Sequence, residues 1–333
     1  MARYAGIGSD GLRNMHGKTA AVVGCGGLGS ALITLLARYP LGGMRLIDRD
    51  IVEESNLAHQ ILFTAEDAGG GATKCEAAAA YARRINPEIN CEAVFADLRV
   101  RNADTILSGA DIVIDGLDNW RTRFLINDWC MKNRVPYVYG GVVEDEATAK
   151  AVVPGKTSCL RCLLPEPPEP GTTRTCDVYG VHLPVISVAA GVMVDIAVRI
   201  FAGQAPEGIG DAATIKLVGG AQEMRSISGS RAMRPGCPAC GGRYEFFDPA
   251  NEERAGAVCG ANAIATTLDY EIDLAKLAAA LPAEFEVSHS KYFVRAKSRG
   301  GIVFTAYAHG RIMADGTRDE SVLRGFISRY LGG

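Results

Sequence analysis

A chain of 333 residues, 48% hydrophobic and 22% charged, is long enough for a large buried core and has the polarity of an ordinary globular enzyme. Its net charge of -3 gives no basic surface of the kind nucleic acid requires, so no nucleic-acid partner is expected. Residues 1–18 hold no apolar leader core, and the apolar stretch 185–201 is interrupted by Asp195 and Arg199, so neither export nor membrane association is expected and a cytoplasmic location is.

In chain order, residues 18–24 (KTAAVVG) read as a buried strand and 30–39 as a helix that stops at Pro40. A second strand follows at 44–48, then an Ala-rich helix at 74–85 that ends before Asn86-Pro87. Strand patterns recur at 90–96, 112–115 and 135–143. Alternation of strand and helix predicts an α/β fold with a Rossmann-like, parallel-rich sheet and flanking helices. Beyond residue 150 the pattern changes to short strands at 150–153, 214–218 and 223–227 around the apolar helix, with a Pro-rich loop at 165–171 (PEPPEPG). After Cys259 a small α+β unit is predicted, with helices at 274–281 and 320–331 and strands near 292–296 and 302–306. The expected division is a nucleotide-binding half at 1–150, a second half at 151–248 and the small C-terminal unit at 258–333.

Gly24-Cys25-Gly26-Gly27-Leu28-Gly29 follows the first strand and opens a helix. A G-x-G-x-x-G turn in that place turns backbone N–H groups and a helix N-terminus toward a phosphate. Asp48 ends the second strand, where a carboxylate can accept from a ribose. A dense polar run follows, Asp48-Arg49-Asp50-Ile51-Val52-Glu53-Glu54-Ser55-Asn56-Leu57-Ala58-His59-Gln60, then Lys74, then Asp118-Asn119 past the strand at 112–115. A plain dehydrogenase needs no such run. A lysine, aspartates and an amide at strand C-termini suit a nucleoside triphosphate with Mg2+.

Two C-x-x-C pairs, Cys159/Cys162 and Cys237/Cys240, have the spacing of metal knuckles, and two such pairs commonly close a tetrahedral zinc site without an open position. Such a site would clamp the second half of the chain. Cys176 follows Arg174 and Thr175 beyond the Pro-rich loop, and nearby positive charge favours a thiolate. Cys25, Cys75, Cys91, Cys130 and Cys259 read as packing residues, and His16, His182, His289 and His309 lack partners at ligand spacing.

The succession G-x-G-G-L-G-S, D-x-D-x-V-x-x-S-N-L-x-x-Q, T-K-C-E and D-G-x-D-N resembles the ThiF/MoeB/HesA family, relatives of ubiquitin-activating enzymes. The likeness continues through Tyr139-Gly140-Gly141 and the cysteine pairs, over roughly residues 3–242. It implies adenylation of the terminal glycine carboxylate of a ubiquitin-fold sulfur carrier of the thiamin or molybdopterin type. ATP would be held by Gly27, Asp48, Ser55, Asn56, Lys74, Asp118 and Asn119, with Asp48 on the ribose, Lys74 on the phosphates and Asp118 on Mg2+. The resemblance also implies a homodimer, the zinc position and a covalent carrier link at Cys176. His59 and Gly6 stand where relatives carry arginines that contact the triphosphate; Arg3, Arg13 and Arg49 are the candidate substitutes. Two alternatives stay open: a peptide-modifying relative in natural-product synthesis, and a scaffold that binds nucleotide or carrier without turnover.

Overall fold

The computed structural model describes the chain except for residues 1–2, 5, 169–179, 205–211, 219–220, 228–231, 252–254, 258–261 and 333. It divides into two compact units, Met1–Glu252 and Glu253–Gly333. Cys176 and Cys259 lie outside the described residues.

The first unit is built on one sheet in the order β3-β2-β1-β4-β5-β6-β7-β8. The strands are β1 (Thr19–Val23), β2 (Gly43–Asp48), β3 (Asn90–Phe95), β4 (Ile112–Asp115), β5 (Tyr137–Val143), β6 (Glu146–Val152), β7 (Ala213–Val218) and β8 (Ala221–Ser226). From β3 to β5 all pairings are parallel; from β5 to β8 they are antiparallel. The central parallel strands β1 and β4 are nearly continuous apolar, buried runs because helices cover both faces. The helices are α1 (Gly8–Met15), α2 (Gly27–Leu36), α3 (Ala65–Gly69), α4 (Lys74–Ile85), α5 (Val100–Leu107), α6 (Trp120–Asn133), α7 (Leu160–Leu163) and α8 (Leu183–Phe201). The sheet grows from β1 to β2 and β3 on one side, then restarts at β4 on the other. Ligands bind in open α/β sheets at such a reversal, beyond the strand C-termini.

Helix α8 is long and apolar enough to cross a membrane by composition, yet it packs against α2, β5, β6 and β7 with Val185, Ile186, Ala189, Ala190, Met193 and Ala197 in the core. Met193 fills the space over Gly140, where an added Cβ would lie 2.2 Å from its sulfur. Helix α6 was not foreseen in the sequence; it is buried on almost every side and includes Arg123, Asn127 and Asp128 in its buried surface.

The second unit is a six-stranded sheet in the order β11-β12-β13-β14-β10-β9, with all pairings antiparallel. Its strands are β9 (Ala255–Ala257), β10 (Ala263–Thr267), β11 (Glu286–His289), β12 (Phe293–Lys297), β13 (Val303–Tyr307) and β14 (Arg311–Asp315). Helices α9 (Leu274–Ala280) and α10 (Glu320–Tyr330) complete it. Phe304 stacks on Phe326 with centroids 4.2 Å apart, and Ile264, Val294, Ala296 and Ile312 pack around them. This is the small α+β unit expected from the sequence.

Candidate nucleotide site and cysteine cluster

The glycine loop is a tight turn packed backbone to backbone. Gly24 has φ +90°, which an L side chain rarely adopts. A Cβ on Gly29 would stand 1.9 Å from the Gly24 carbonyl oxygen, and one on Gly116 2.2 Å from the same atom. The loops after β1 and β4 therefore touch backbone to backbone. Gly26 caps α2, whose first described helical hydrogen bond from its N-terminus is Ser30 N–H to Gly26 carbonyl. The N–H groups of Gly27, Leu28 and Gly29 are those a helix start leaves for an anion.

Asp48 is 8% exposed at the end of β2. Its carboxylate accepts from Cys25 N–H at 2.6 Å and from Asp50 N–H at 2.8 Å. Each oxygen keeps a lone pair for a further donor such as a ribose hydroxyl. Burial pushes the Asp48 carboxyl upward, against the opposing pull of Lys74. Lys74 opens α4, its N–H donating to the Asp50 carbonyl at 3.0 Å, and its Nζ lies 3.7 Å from Asp50 Oδ2. Burial disfavours its charge, but Asp50, Asp48 and Asp118 outweigh that and hold the ammonium.

Ser55 and Asn56 lie in a 3₁₀ turn, Glu54–Ala58, closed by Asn56 Oδ1 accepting from Glu53 N–H at 3.1 Å. Asn56 thus shapes the turn, and Ser55 is exposed on it. His59 ends the turn with its ring over the glycine loop: a Cβ on Gly27 would be 3.5 Å from His59 Cδ2. Gln60 Nε2 is 3.5 Å from His59 Nε2, and Gln60 Oε1 is buried without a partner. Asp118 is exposed at the end of the β4 loop, and Asn119 caps α6 through Thr122 N–H at 3.0 Å. The structure therefore gathers Gly24, Gly26, Gly27, Gly29, Asp48, Asp50, His59 and Lys74 around one loop, with Asp118 close enough to act electrostatically on Lys74. Of the candidate substitute cations, Arg13 pairs with Asp10 on α1 and Arg49 pairs with Asp97 at 3.1 Å, so both have partners. Arg49 also feels Asp50 and Asp118.

The sequence gives Arg123 and Trp120 no mention and Tyr139 only a place in a motif, with no role at the site. They line a cleft of about 440 Å3 that runs from Asp118 over Gly141, Ala147 and Thr148 to Lys216 and Arg225. The signal was present in D-G-x-D-N followed by aromatic and basic residues, but no period marks it.

His59 gives the first expected result. Burial and Lys74 depress its pKa below the ordinary 6.5 in the free protein. A triphosphate over the glycine loop would raise it by adding negative charge. Binding then takes up a proton: the benefit is complete below the free-protein pKa and fades as pH rises through the bound-state pKa. ATP affinity is expected to fall by up to about tenfold per unit of pKa shift over this window, starting below pH 6.5. His59→Arg is expected to bind more tightly with a flatter profile. Calorimetric titration from pH 5.5 to 8 checks this, and parallel profiles for the two proteins would refute it.

The four paired cysteines converge. Cys159, Cys162, Cys237 and Cys240 place their Sγ atoms within 4.8 Å of one another. Cys159–Cys237 is 3.6 Å, Cys162–Cys240 3.5 Å and Cys159–Cys162 3.9 Å. These are not disulfides, whose sulfurs lie about 2.05 Å apart. They match the edges of a tetrahedron of thiolates about 2.3 Å from a central zinc. Arg234 N–H points at Cys162 Sγ from 3.3 Å, as a donor beside a metal thiolate does. Arg161, inside the first knuckle, is fully buried: it reaches Glu245 at 2.7 Å, Glu166 at 3.2 Å and Asp128 at 3.5 Å, tying the cluster to α6. Cys25, Cys75, Cys91 and Cys130 are buried, with thiols pushed up by burial, which fits packing residues.

Comparison with known proteins agrees with this geometry. The ThiF family profile matches residues 1–239. The sulfur carrier protein ThiS adenylyltransferase of Bacillus subtilis is 29% identical over 99% of this chain and 97% of its own length. A sulfur carrier protein adenylyltransferase of Thermus thermophilus is 32% identical over 59% of this chain and 74% of its own. Among solved structures, E. coli MccB with ATP shares the fold, with a TM-score of 0.58 at 22% identity over 69% of this chain and 68% of that one. The chain therefore belongs to the ThiF family and is an adenylyltransferase.

Proposed function

We propose that the chain adenylates the C-terminal glycine carboxylate of a ubiquitin-fold sulfur carrier protein. One carboxylate oxygen attacks the α-phosphorus of ATP, the bond to the bridging oxygen breaks, and pyrophosphate leaves with the electron pair. No general base is needed, since a carboxylate is ionised at neutral pH. Lys74 meets the growing charge on the phosphates, and the α2 N-terminus and glycine loop hold them. Asp118 and Asp50 have the oxygen ligands that would hold Mg2+, which would neutralise pyrophosphate as it departs.

The observation that carries this reading is the cleft that begins at Asp118 and passes over Gly141. Gly141 brings no side chain into it, and an extended tail ending in small residues would use that space. The similarity to relatives named for ThiS supports the same substrate class. ATP–pyrophosphate exchange with purified ThiS-type and molybdopterin-type carriers tests it. Exchange is expected only with a carrier ending in Gly-Gly and is expected to vanish when the last glycine is deleted. Exchange with a short peptide but not a carrier would move the substrate to peptides, and ATP binding without any exchange would favour a scaffold.

The protein is further proposed to work as a homodimer. Helix α8 leaves Pro184, Ser187, Val188, Gly191 and Asp195 exposed along one side, with Val188 40% exposed. Small residues there let a second copy approach closely. Wild type is expected to run as a dimer in light scattering at micromolar concentration, and Val188→Glu as a monomer. A monomeric wild type would refute this.

A further inference from the structure

We propose that the buried Asp115–Arg123 ion pair is the device that positions Asp118 against the glycine loop. The inference rests on the role given above to Asp118.

Asp115 is fully buried at the end of β4 and Arg123 is 5% exposed in the first turns of α6. Arg123 Nε donates to Asp115 Oδ2 at 3.1 Å, and Tyr137 Oη donates to the same oxygen at 2.8 Å. What they hold is the peptide of Leu117, the residue just before Asp118. Leu117 N–H donates to Asp115 Oδ1 at 2.8 Å, and Leu117 carbonyl accepts from Arg123 Nη2 at 2.5 Å. Both ends of that residue are thus gripped by opposite members of one ion pair. Arg123 Nη2 also donates to the Gly140 carbonyl at 3.0 Å, so the same group fixes β5 beside the cleft. Its guanidinium lies 5.0 Å from the Trp120 ring and 5.6 Å from that of Tyr139, so its plane has little freedom.

The clamp bears on the glycine loop as well. A Cβ on Gly24 would stand 3.1 Å from Leu117 N, and Gly116 packs on Gly24 and Gly29. Moving Leu117 would disturb both the phosphate loop and Asp118. A buried ion pair is an inefficient source of stability, because desolvation offsets most of the attraction. Its value here is geometric: a forked donor and a carboxylate hold the two peptide groups that flank Leu117 in a single orientation. On this account Arg123 and Asp115 are positioning residues, and lysine cannot replace Arg123 because it lacks the fork.

A double-mutant cycle tests this, with Arg123→Lys, Asp118→Asn and the double variant in ATP–pyrophosphate exchange at varied Mg2+. Arg123→Lys is expected to lower the exchange rate by roughly 10–100-fold and raise half-saturating Mg2+ about tenfold. In the Asp118→Asn background, Arg123→Lys is expected to add less than about twofold, since the group it positions is gone. Independent effects that multiply, or wild-type exchange in a folded Arg123→Lys, would overturn the inference. Should Arg123→Lys fail to fold, Tyr137→Phe removes one donor to Asp115 and is expected to shift half-saturating Mg2+ in the same direction; no shift would count as refutation. Amide hydrogen exchange at Leu117 reads the clamp without turnover. Protection is expected in wild type and lost in Arg123→Lys. That result in a protein showing no exchange would keep the clamp and refute the functional reading; equal protection in both proteins would refute the clamp.

Discussion

Lys74→Ala is expected to lower carrier-dependent pyrophosphate exchange by roughly 10²–10³-fold, the usual cost of removing one preorganised charge from a developing anion. Lys74 is 8% exposed and stands between Asp48, Asp50 and the space over the glycine loop. In the free protein it neutralises those carboxylates. With ATP bound, it would supply positive charge where the phosphates gather theirs. The loss is expected mainly in the rate, with a smaller change in KM for ATP, because the leaving pyrophosphate carries more charge than the bound triphosphate shows there. Stability is expected to drop by only about 1–2 kcal/mol, because Asp50 remains partly solvated and water can replace the ammonium. Steady-state exchange together with thermal melting checks both numbers. A folded Lys74→Ala protein that exchanges within threefold of wild type would remove Lys74 from the mechanism.

Removing the metal from the cysteine cluster is the second large effect. The chain is expected to bind one zinc, measured by elemental analysis. Cys240→Ser is expected to lose it and to melt lower by roughly 6–12 °C, equivalent to about 3 kcal/mol in a unit of this size. The reason is local. The cluster joins α7 to the segment around Cys237 and Pro238, two short pieces that also share an apolar cluster with Leu160, Ala239 and Phe247. Buried Arg161 makes the dependence stronger, since its three acidic partners come from α6, the segment after α7 and the turn at Glu245. If those pieces separate, a buried guanidinium loses its partners. Exchange activity is expected to fall with folding and not before it, because the cluster offers four thiolates and no open coordination position. A metal-free preparation with unchanged melting would refute the structural role.

Much of this protein could be read without coordinates. The short apolar runs at β1 and β4, bounded by turn residues, and the longer Ala-rich α4 are told apart by length and flanks, and the sequence places α4 and β4 at their observed bounds. The glycine loop and the cysteine pairs were legible because their chemistry depends on residue type and spacing: Gly29 has no room for a methyl group, and four sulfurs at knuckle spacing suit one geometry. Helix α6 was not legible. Burying Arg123, Asn127 and Asp128 erases the apolar stripe by which a helix is recognised, and those residues are tolerated only because Asp115, the Leu160 N–H and Arg161 meet them from other elements. The same holds for the cleft past Asp118 and for the grip on Leu117. Each is made by side chains far apart in the chain that meet only when β4, β5 and α6 pack. Sequence alone singled out the groups proposed to hold a triphosphate and a metal. Tertiary structure decided which carbonyls Arg123 holds, that Arg49 pairs with Asp97, and that His59 lies over the glycine loop, because those outcomes depend on distances no local pattern encodes.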